Sequence, residues 1–101
     1  MSSPTAEFNE LIHSPVRLRV CALLRQVAEI EFAIIRDTLS LSDPHLSKNL
    51  KLLQDAGFVA LRKESSATGP DARRRTWVSL TQDGRAAVEA HLAALAEIAS
   101  I

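Results

Sequence analysis

The chain of 101 residues contains one cysteine, one tryptophan, no tyrosine and only three glycines. A single cysteine, Cys21, excludes an intrachain disulfide and any zinc or iron–sulfur site built from several cysteines. No apolar run approaches the roughly 18 residues of a membrane span, and the start MSSPTAEFNE lacks the basic and apolar regions of a signal peptide. We therefore expect a cytoplasmic protein with no membrane partner, no metal and no cofactor.

Catalytic and metal-binding patterns are also missing. The sequence has no glycine-rich phosphate loop, no HExxH and no GxSxG. Asp43, His45 and Ser47 are close together, but they lie on one helical turn that must face solvent. The three histidines are widely spaced and form no ligand motif, and Cys21 is interpreted as a small apolar residue buried in a helix. We expect neither an enzyme nor a metal-dependent sensor.

Charge of one sign is not in excess, because the chain has twelve basic and twelve acidic residues. Nucleic-acid-binding proteins usually have a basic excess, so the total argues against that class. The distribution argues for it. Residues 45–75 include seven basic and three acidic residues, a net charge of +4, which leaves −4 for the rest. Such a split between regions is more informative than the total.

The first half of the chain predicts three helices. Ser14-Pro15 has the cap and first-turn residues of a helix start, and Val16, Val20, Leu23, Leu24 and Val27 give its apolar face. Residues 29–31 alternate like a very short strand, and residues 32–39 predict a second helix. Ser42 begins a third helix at about 43–56, whose buried stripe is Leu46, Leu50 and Leu53. Two short helices joined by a tight turn are typical of a helix-turn-helix.

The second half predicts a hairpin and a long helix. Gly57 is free to adopt the left-handed conformation that ends the third helix. Two strands within about 58–80 surround the turn-rich stretch 65–71, and Thr81 caps a last helix at about 82–100. The expected fold is one domain spanning 1–101, mainly α with a small β-hairpin wing (α+β), a winged helix-turn-helix.

Polar side chains lie away from the leucine stripe of the third helix: His45, Ser47, Lys48, Asn49 and Lys51. They are donors and acceptors of the kind that read base edges and bind phosphate. An ordinary solvated helix face is the alternative. The sequence alone leaves both interpretations open at this helix.

The hairpin is unusually basic. Arg73, Arg74 and Arg75 are expected opposite Arg62 and Lys63. Like charges on paired strands repel, so the cluster favours phosphate binding with the small hairpin tip along a minor groove. A solubilising hairpin with cross-strand ion pairs is the alternative.

Trp77 and Phe58 are the large aromatic residues of the hairpin. Aromatic rings beside basic residues can stack on the bases of single-stranded nucleic acid. Because Trp77 alternates with charged neighbours, we instead predict that both rings pack in the core.

Three segments resemble known regulators. The segment 13–20, HSPVRLRV, resembles the first-helix signature of winged-helix regulators of the ArsR type. The segment 41–59, LSDPHLSKNLKLLQDAGFV, is similar to the recognition-helix segment shared by the ArsR and MarR families. The segment 73–85, RRRTWVSLTQDGR, resembles the second wing strand and the turn that follows it. The likeness spans about residues 11–95 and is strongest to small stand-alone regulators grouped near MarR.

This resemblance implies a homodimer that binds a palindromic operator in double-stranded DNA. It places the recognition helix in the major groove and the wing over the minor groove. With the cap included, the expected DNA-binding residues are Ser42, Asp43, Pro44, His45, Ser47, Lys48, Lys51, Arg62, Lys63, Arg73, Arg74 and Arg75.

The chain departs from the family pattern at two positions. Ser40 stands where many members carry Gly or Asn, and Asn49 where ArsR members commonly carry His. The cysteine pairs and His/Asp clusters of metal-sensing members are absent from the sequence. A small-molecule effector is not identified by any motif.

An apolar excess on the last helix predicts assembly. Together with the apolar residues of the segment Phe8–Ile12, this excess predicts a dimer contact formed by Phe8, Leu11, Ile12, Val88, Leu92 and Leu95. Packing against the chain's own core is the alternative. A second function class also stays open, because winged helices serve as protein–protein docking modules. Positive charge on the recognition helix and wing favours DNA, whereas an apolar patch there would favour docking.

Overall fold

The computed structural model describes residues 5–65 and 74–101. Within them the elements are α1 (Pro15–Leu24), β1 (Ile30–Glu31), α2 (Phe32–Thr38), α3 (Asp43–Asp55), β2 (Val59–Ser65), β3 (Arg74–Leu80) and α4 (Gln82–Ala99). This is the α+β winged-helix arrangement expected from the sequence. None of the helices in the described ranges is long and apolar enough to cross a membrane.

Three predicted helix caps are confirmed. The side chains of Ser14, Ser42 and Thr81 each accept a hydrogen bond from the backbone N–H three residues on. These bonds satisfy N–H groups that have no partner within the helix. The first helix ends at Leu24, so Val27 lies beyond it rather than on its apolar face.

Two residues with positive φ make the sharp turns. Gly57 has φ 80°, as its role in ending α3 requires, and Ser40 has φ 55° between α2 and α3. A residue with a Cβ is strained in this region, so Ser40 holds a conformation that glycine adopts without cost. The Leu41 N–H donates to the Arg36 carbonyl oxygen at 2.9 Å and helps hold the turn closed.

The sheet has the order β1-β3-β2, and all pairs are antiparallel. Arg62 pairs with Trp77, Lys63 with Thr76, and Glu64 with Arg75. The expectation that Arg62 and Lys63 lie opposite the arginine run was therefore wrong. Cross-strand neighbours in this register include an acid–base pair, so the repulsion inferred from the sequence is reduced.

The core lies between the helices and one face of the sheet. Its fully buried side chains include Leu46, Leu50 and Leu53 of α3, as predicted, and Val78 of β3. Phe58 packs against this cluster, but Trp77 does not belong to it. The prediction of a core Trp77 was wrong because alternation along β3 places it on the face opposite Val78.

Cys21 is also in the core, as expected. Burial raises the pKa of its thiol to about 11, because the charged thiolate is disfavoured away from water.

The start of α4 is locked onto the end of α3. The Thr81 hydroxyl donates to the Gly57 carbonyl oxygen at 2.6 Å, and the Thr81 N–H donates to the Phe58 carbonyl oxygen at 3.0 Å. A Cβ at Gly84 would overlap the Phe58 carbonyl oxygen. Only glycine allows this close approach of helix and backbone.

The N-terminal arm, residues 5–13, lies along α4. The Glu7 N–H donates to the Ala90 carbonyl oxygen at 3.0 Å. Ile12 and Val88 are fully buried within the chain itself. Their assignment to a partner contact is therefore corrected, because both side chains pack in their own core. Leu11 and Leu92 also pack against this core, although they stay partly exposed.

Candidate DNA-binding surface

The recognition helix α3 presents one polar face. Its buried leucine stripe turns His45, Ser47, Lys48 and Lys51 outward, and all four are exposed. Ser42 fixes the first turn by accepting a hydrogen bond from the His45 N–H at 3.2 Å. This face supplies hydroxyl, imidazole and ammonium groups, which can bind base edges and phosphates.

Asp43, in the first turn of α3, is joined to α2. The Arg36 guanidinium lies 2.8 Å from its carboxylate and 2.8 Å from that of Asp37. These hydrogen bonds raise the pKa of Arg36 and lower the pKa of Asp37. Asp43 thus braces the helix-turn-helix, while Pro44 and Ser42 stay exposed beside it.

Lys51 makes an exposed ion pair with Asp55 four residues later, at 2.7 Å. Pairs of this kind are worth only about 0.3–0.5 kcal/mol. The ammonium can therefore exchange its carboxylate partner for a phosphate at little cost.

Asn49 does not belong to the exposed face. It is only 5% exposed, and its side chain bonds to Arg17 and to the His45 carbonyl oxygen. The expectation that Asn49 lies on the outward polar face of α3 was wrong, because this amide links α3 to α1 inside the molecule.

The outer face of the wing is a network of paired charges. The Arg62 guanidinium lies 2.6 Å from Glu29 and 2.8 Å from Glu64, and these hydrogen bonds raise the pKa of Arg62. Arg75 lies 3.7 Å from Glu31. Of the cross-strand ion pairs left open as an alternative, Arg75 with Glu31 of β1 is therefore present. Arg62 pairs instead with Glu64 of its own strand and with Glu29, which precedes β1.

The other face of the wing turns toward α3. Alternation along β2 places Lys63 on the side opposite Arg62. Lys63 and Thr76 line a groove of about 310 Å³ together with Asp43 and Ser47. Lys63 and Ser47 thus border one concave surface between the recognition helix and the wing.

Lys48, Lys63 and Arg74 form no ion pair with any residue in the described ranges. All three are exposed. Arg73 lies outside the described residues, as does the hairpin tip.

Among the residues nominated for dimerisation, Phe8 is 39% exposed and Leu95 is half-buried. Ile98, one turn beyond Leu95 on α4, is 55% exposed. These three side chains, rather than Ile12 and Val88, offer an apolar surface for a partner.

The fold joins two histidines that look unrelated in the sequence. The His13 Nδ1 lies 3.3 Å from the His91 Nε2, and the Phe8 ring packs against both imidazoles. Burial and then the nearby His13 lower the pKa of His91. No group of three metal-ligating side chains occurs in the part of the chain that the structure describes.

Comparison with known proteins agrees with this geometry. Residues 16–99 match the family model of the winged helix DNA-binding domain. An uncharacterised protein of Methanocaldococcus jannaschii is 32% identical over 83 residues, which is 82% of this chain and 86% of that protein.

Solved structures show the same fold. A transcriptional regulator homologue from Pyrococcus horikoshii OT3 superposes with a TM-score of 0.80 at 25% identity, covering 91% of this chain and 87% of that one. NadR, solved in complex with 4-hydroxyphenylacetate, has a TM-score of 0.69 at 21% identity, covering 91% and 62%. The family model describes a DNA-binding domain, and the Pyrococcus horikoshii structure is that of a transcriptional regulator homologue. The chain belongs to the winged helix DNA-binding domain family.

Proposed function

We propose that the chain acts as a homodimer on a palindromic operator, with α3 in the major groove and the wing over the minor groove. The observation that carries the proposal is the concave surface on which Ser47 of α3 and Lys63 of β2 border the same groove. A duplex held there meets polar groups from the helix and cations from the wing.

We assign three roles to the residues of this surface: base reading, phosphate binding and orientation of α3. His45, Ser47 and Lys48 occupy the exposed N-terminal half of α3 and read base edges. Phosphates are bound by Lys51, Lys63 and the arginines 73 and 74 of the wing. Ser42, Asp43 and Pro44 set the direction of the helix, because the cap and the Arg36 ion pair fix its first turn.

In this proposal Arg62 and Arg75 stabilise the wing through ion pairs rather than bind phosphates. Their carboxylate partners are Glu31 in β1 and Glu29 just before it, and these ion pairs tie the outer face of the hairpin to the first strand. Each already has an acidic partner, so a phosphate would have to displace it.

The dimer forms through the exposed apolar side chains Phe8, Leu95 and Ile98. A two-fold axis would place the two α3 helices in successive major grooves, with half-sites roughly 34 Å apart. We propose the cytoplasm as the location of the chain, because a regulator must reach the DNA and cells without a nucleus keep their DNA there.

A docking module without DNA binding is the competing function. The large apolar side chains most exposed among the described residues are Phe8, Ile34, Leu52, Ile98 and Ile101. None of them lies on the N-terminal half of α3 or on the wing. This distribution supports DNA over a protein partner at the recognition surface.

Selection from random duplexes, followed by titration, tests the proposal. We expect the wild-type chain to enrich a palindrome. Ser47→Ala or Lys48→Ala should weaken binding to it by about 1–3 kcal/mol, and binding to random DNA much less. Gln54→Ala, at an exposed position in the last turn of the same helix, is the matched control. Absence of an enriched palindrome, or equal losses on both duplexes, would favour the docking module.

A further inference from the structure

Arg17 on α1 connects two parts of the molecule that are distant in sequence. Its Nε–H donates to the Leu11 carbonyl oxygen at 2.6 Å, and its Nη1–H donates to the Asn49 Oδ1 at 2.7 Å. Leu11 belongs to the N-terminal arm, and Asn49 lies in the middle of the recognition helix. One planar guanidinium therefore fixes the distance between the arm and α3.

The Asn49 amide can take only one orientation. A guanidinium donates and never accepts, so the amide must present its oxygen to Arg17. Its nitrogen then points to the His45 carbonyl oxygen and donates at 2.9 Å. Because Asn49 is buried, losing Arg17 would leave its oxygen without a partner and favour a shift of the helix.

The arm is itself tied to α4. The Asn9 N–H donates to the His91 Nδ1 at 3.0 Å, and the Asn9 Oδ1 accepts from the Ile12 N–H at 3.0 Å. Hydrogen bonds thus run from the helix proposed for dimerisation, through the arm and Arg17, to the turn of α3 that carries His45.

We propose that Arg17 is a positioning residue for base recognition. It sets the N-terminal half of α3 relative to the arm and α4, and so determines whether His45, Ser47 and Lys48 reach their bases together. The inference rests on the proposed function. Among the described residues the guanidinium binds Leu11 and Asn49 and is only partly exposed, so its effect on DNA passes through α3.

Lysine cannot replace this residue. Its single ammonium lacks the rigid fork with which arginine holds two acceptors at once. We expect Arg17→Lys to lower affinity for the enriched palindrome roughly tenfold, the loss of about one good base contact. Affinity for random DNA and the salt dependence should not change, because no phosphate contact is removed.

Arg19→Lys is the matched control. Arg19 is an exposed arginine on the same helix, and within the described ranges its side chain donates only to the Leu39 carbonyl oxygen, at 3.4 Å. Its replacement removes the same guanidinium without touching α3, and we expect both affinities to stay as in the wild type.

A double-mutant cycle identifies the partner. Asn49→Ala should reproduce the specific loss. The pair Arg17→Lys with Asn49→Ala should lose little more than either alone, because residues that act as one unit are not additive. Additive losses would show that Arg17 does not act through Asn49 and would overturn the inference.

The outcomes separate this inference from the proposed function. If the wild-type chain enriches no duplex, the proposed function fails and the inference falls with it. If it does, and Arg17→Lys binds both duplexes as tightly as wild type or loses equally on both, the inference fails alone.

Circular dichroism checks folding before each titration. If Arg17→Lys is unfolded at low temperature, Arg17→Gln, which keeps one donor group, repeats the test. Unfolding of both variants would assign Arg17 to stability alone and overturn the inference.

Discussion

The Arg62 guanidinium lies 5.6 Å from the centroid of the Trp77 ring, directly opposite it on the neighbouring strand. The same guanidinium binds Glu29, 33 positions earlier in the chain, and Glu64 on its own strand. A cation in this position has three partners before any DNA arrives. Lys63, the next residue, points to the opposite face and borders the groove beside α3.

Neighbouring cations of the wing should therefore differ in their effect on binding. We expect Lys63→Ala to reduce the slope of log affinity against log salt by roughly one unit, since one phosphate contact is lost. Arg62→Ala should keep the slope and lower the free energy of unfolding. Fluorescence anisotropy across a salt series and urea unfolding measure the two effects. A reduced slope for Arg62→Ala with an unchanged slope for Lys63→Ala would reverse the assignment.

Ile98→Glu tests the dimer. A carboxylate at this position should give monomers in sedimentation, because an unpaired charge in an apolar seam is strongly unfavourable. Ile34→Glu is a matched control, since Ile34 is 50% and Ile98 55% exposed and Ile34 lies on α2. Leu92→Glu is less suitable, because Leu92 also packs against the chain's own core. A wild-type chain that is already monomeric at tens of micromolar, roughly −6 kcal/mol or weaker in association, contradicts the dimer.

Gly84→Ala should destabilise the fold although alanine favours helices. The new Cβ would meet the Phe58 carbonyl oxygen, and relieving the overlap costs about 3 kcal/mol, the upper end for overpacked sites. Gly57→Ala is the comparison, because its Cβ would meet nothing within 4 Å and only the positive φ is penalised, by about 1–2 kcal/mol. Chemical unfolding gives both values. A more stable Gly84→Ala variant would show that α4 shifts freely against Phe58.

Stability should fall as the pH drops below the ordinary histidine value of 6.5. The pKa of His91 is lowered in the folded chain, so the unfolded chain takes up this proton first as the pH falls. The free energy of unfolding therefore decreases between the pKa of His91 in the unfolded chain and its lower pKa in the folded chain. Protonation also removes the lone pair with which Nδ1 accepts from the Asn9 N–H. The His91 imidazole also lies near His13, Phe8 and Glu10. Of these, Glu10 acts against the lowered pKa of His91, because a nearby carboxylate favours the charged imidazolium.

Urea unfolding from about pH 7.5 to 5 measures this dependence. His91→Gln should flatten the curve in that window, whereas His45→Gln, on the exposed face of α3, should leave it steep. An unchanged curve for His91→Gln would assign the acid sensitivity to other groups.

Local chemistry made several features predictable from the sequence. Ser14, Ser42 and Thr81 are caps because a hydroxyl satisfies a free N–H within one turn. Gly57 marks a turn because glycine adopts positive φ at no steric cost, whereas the positive φ of Ser40 was indicated only by the resemblance to families that carry Gly or Asn there. The stripe of Leu46, Leu50 and Leu53 selects the exposed face of α3 by helical periodicity alone. The winged-helix order and the outward position of His45, Ser47 and Lys48 follow from these local rules.

The tertiary structure decided which polar groups meet. The strand register set Arg62 against Trp77 instead of another cation, and it turned Trp77 away from the core. Asn49 is buried because Arg17, 32 positions earlier, lies against it, and His13 meets His91 from 78 positions away. Periodicity in one segment carries no information about such partners. They are determined when the arm, the sheet and the helices pack together, because a buried polar group must then pair with whichever donor or acceptor the packing brings near.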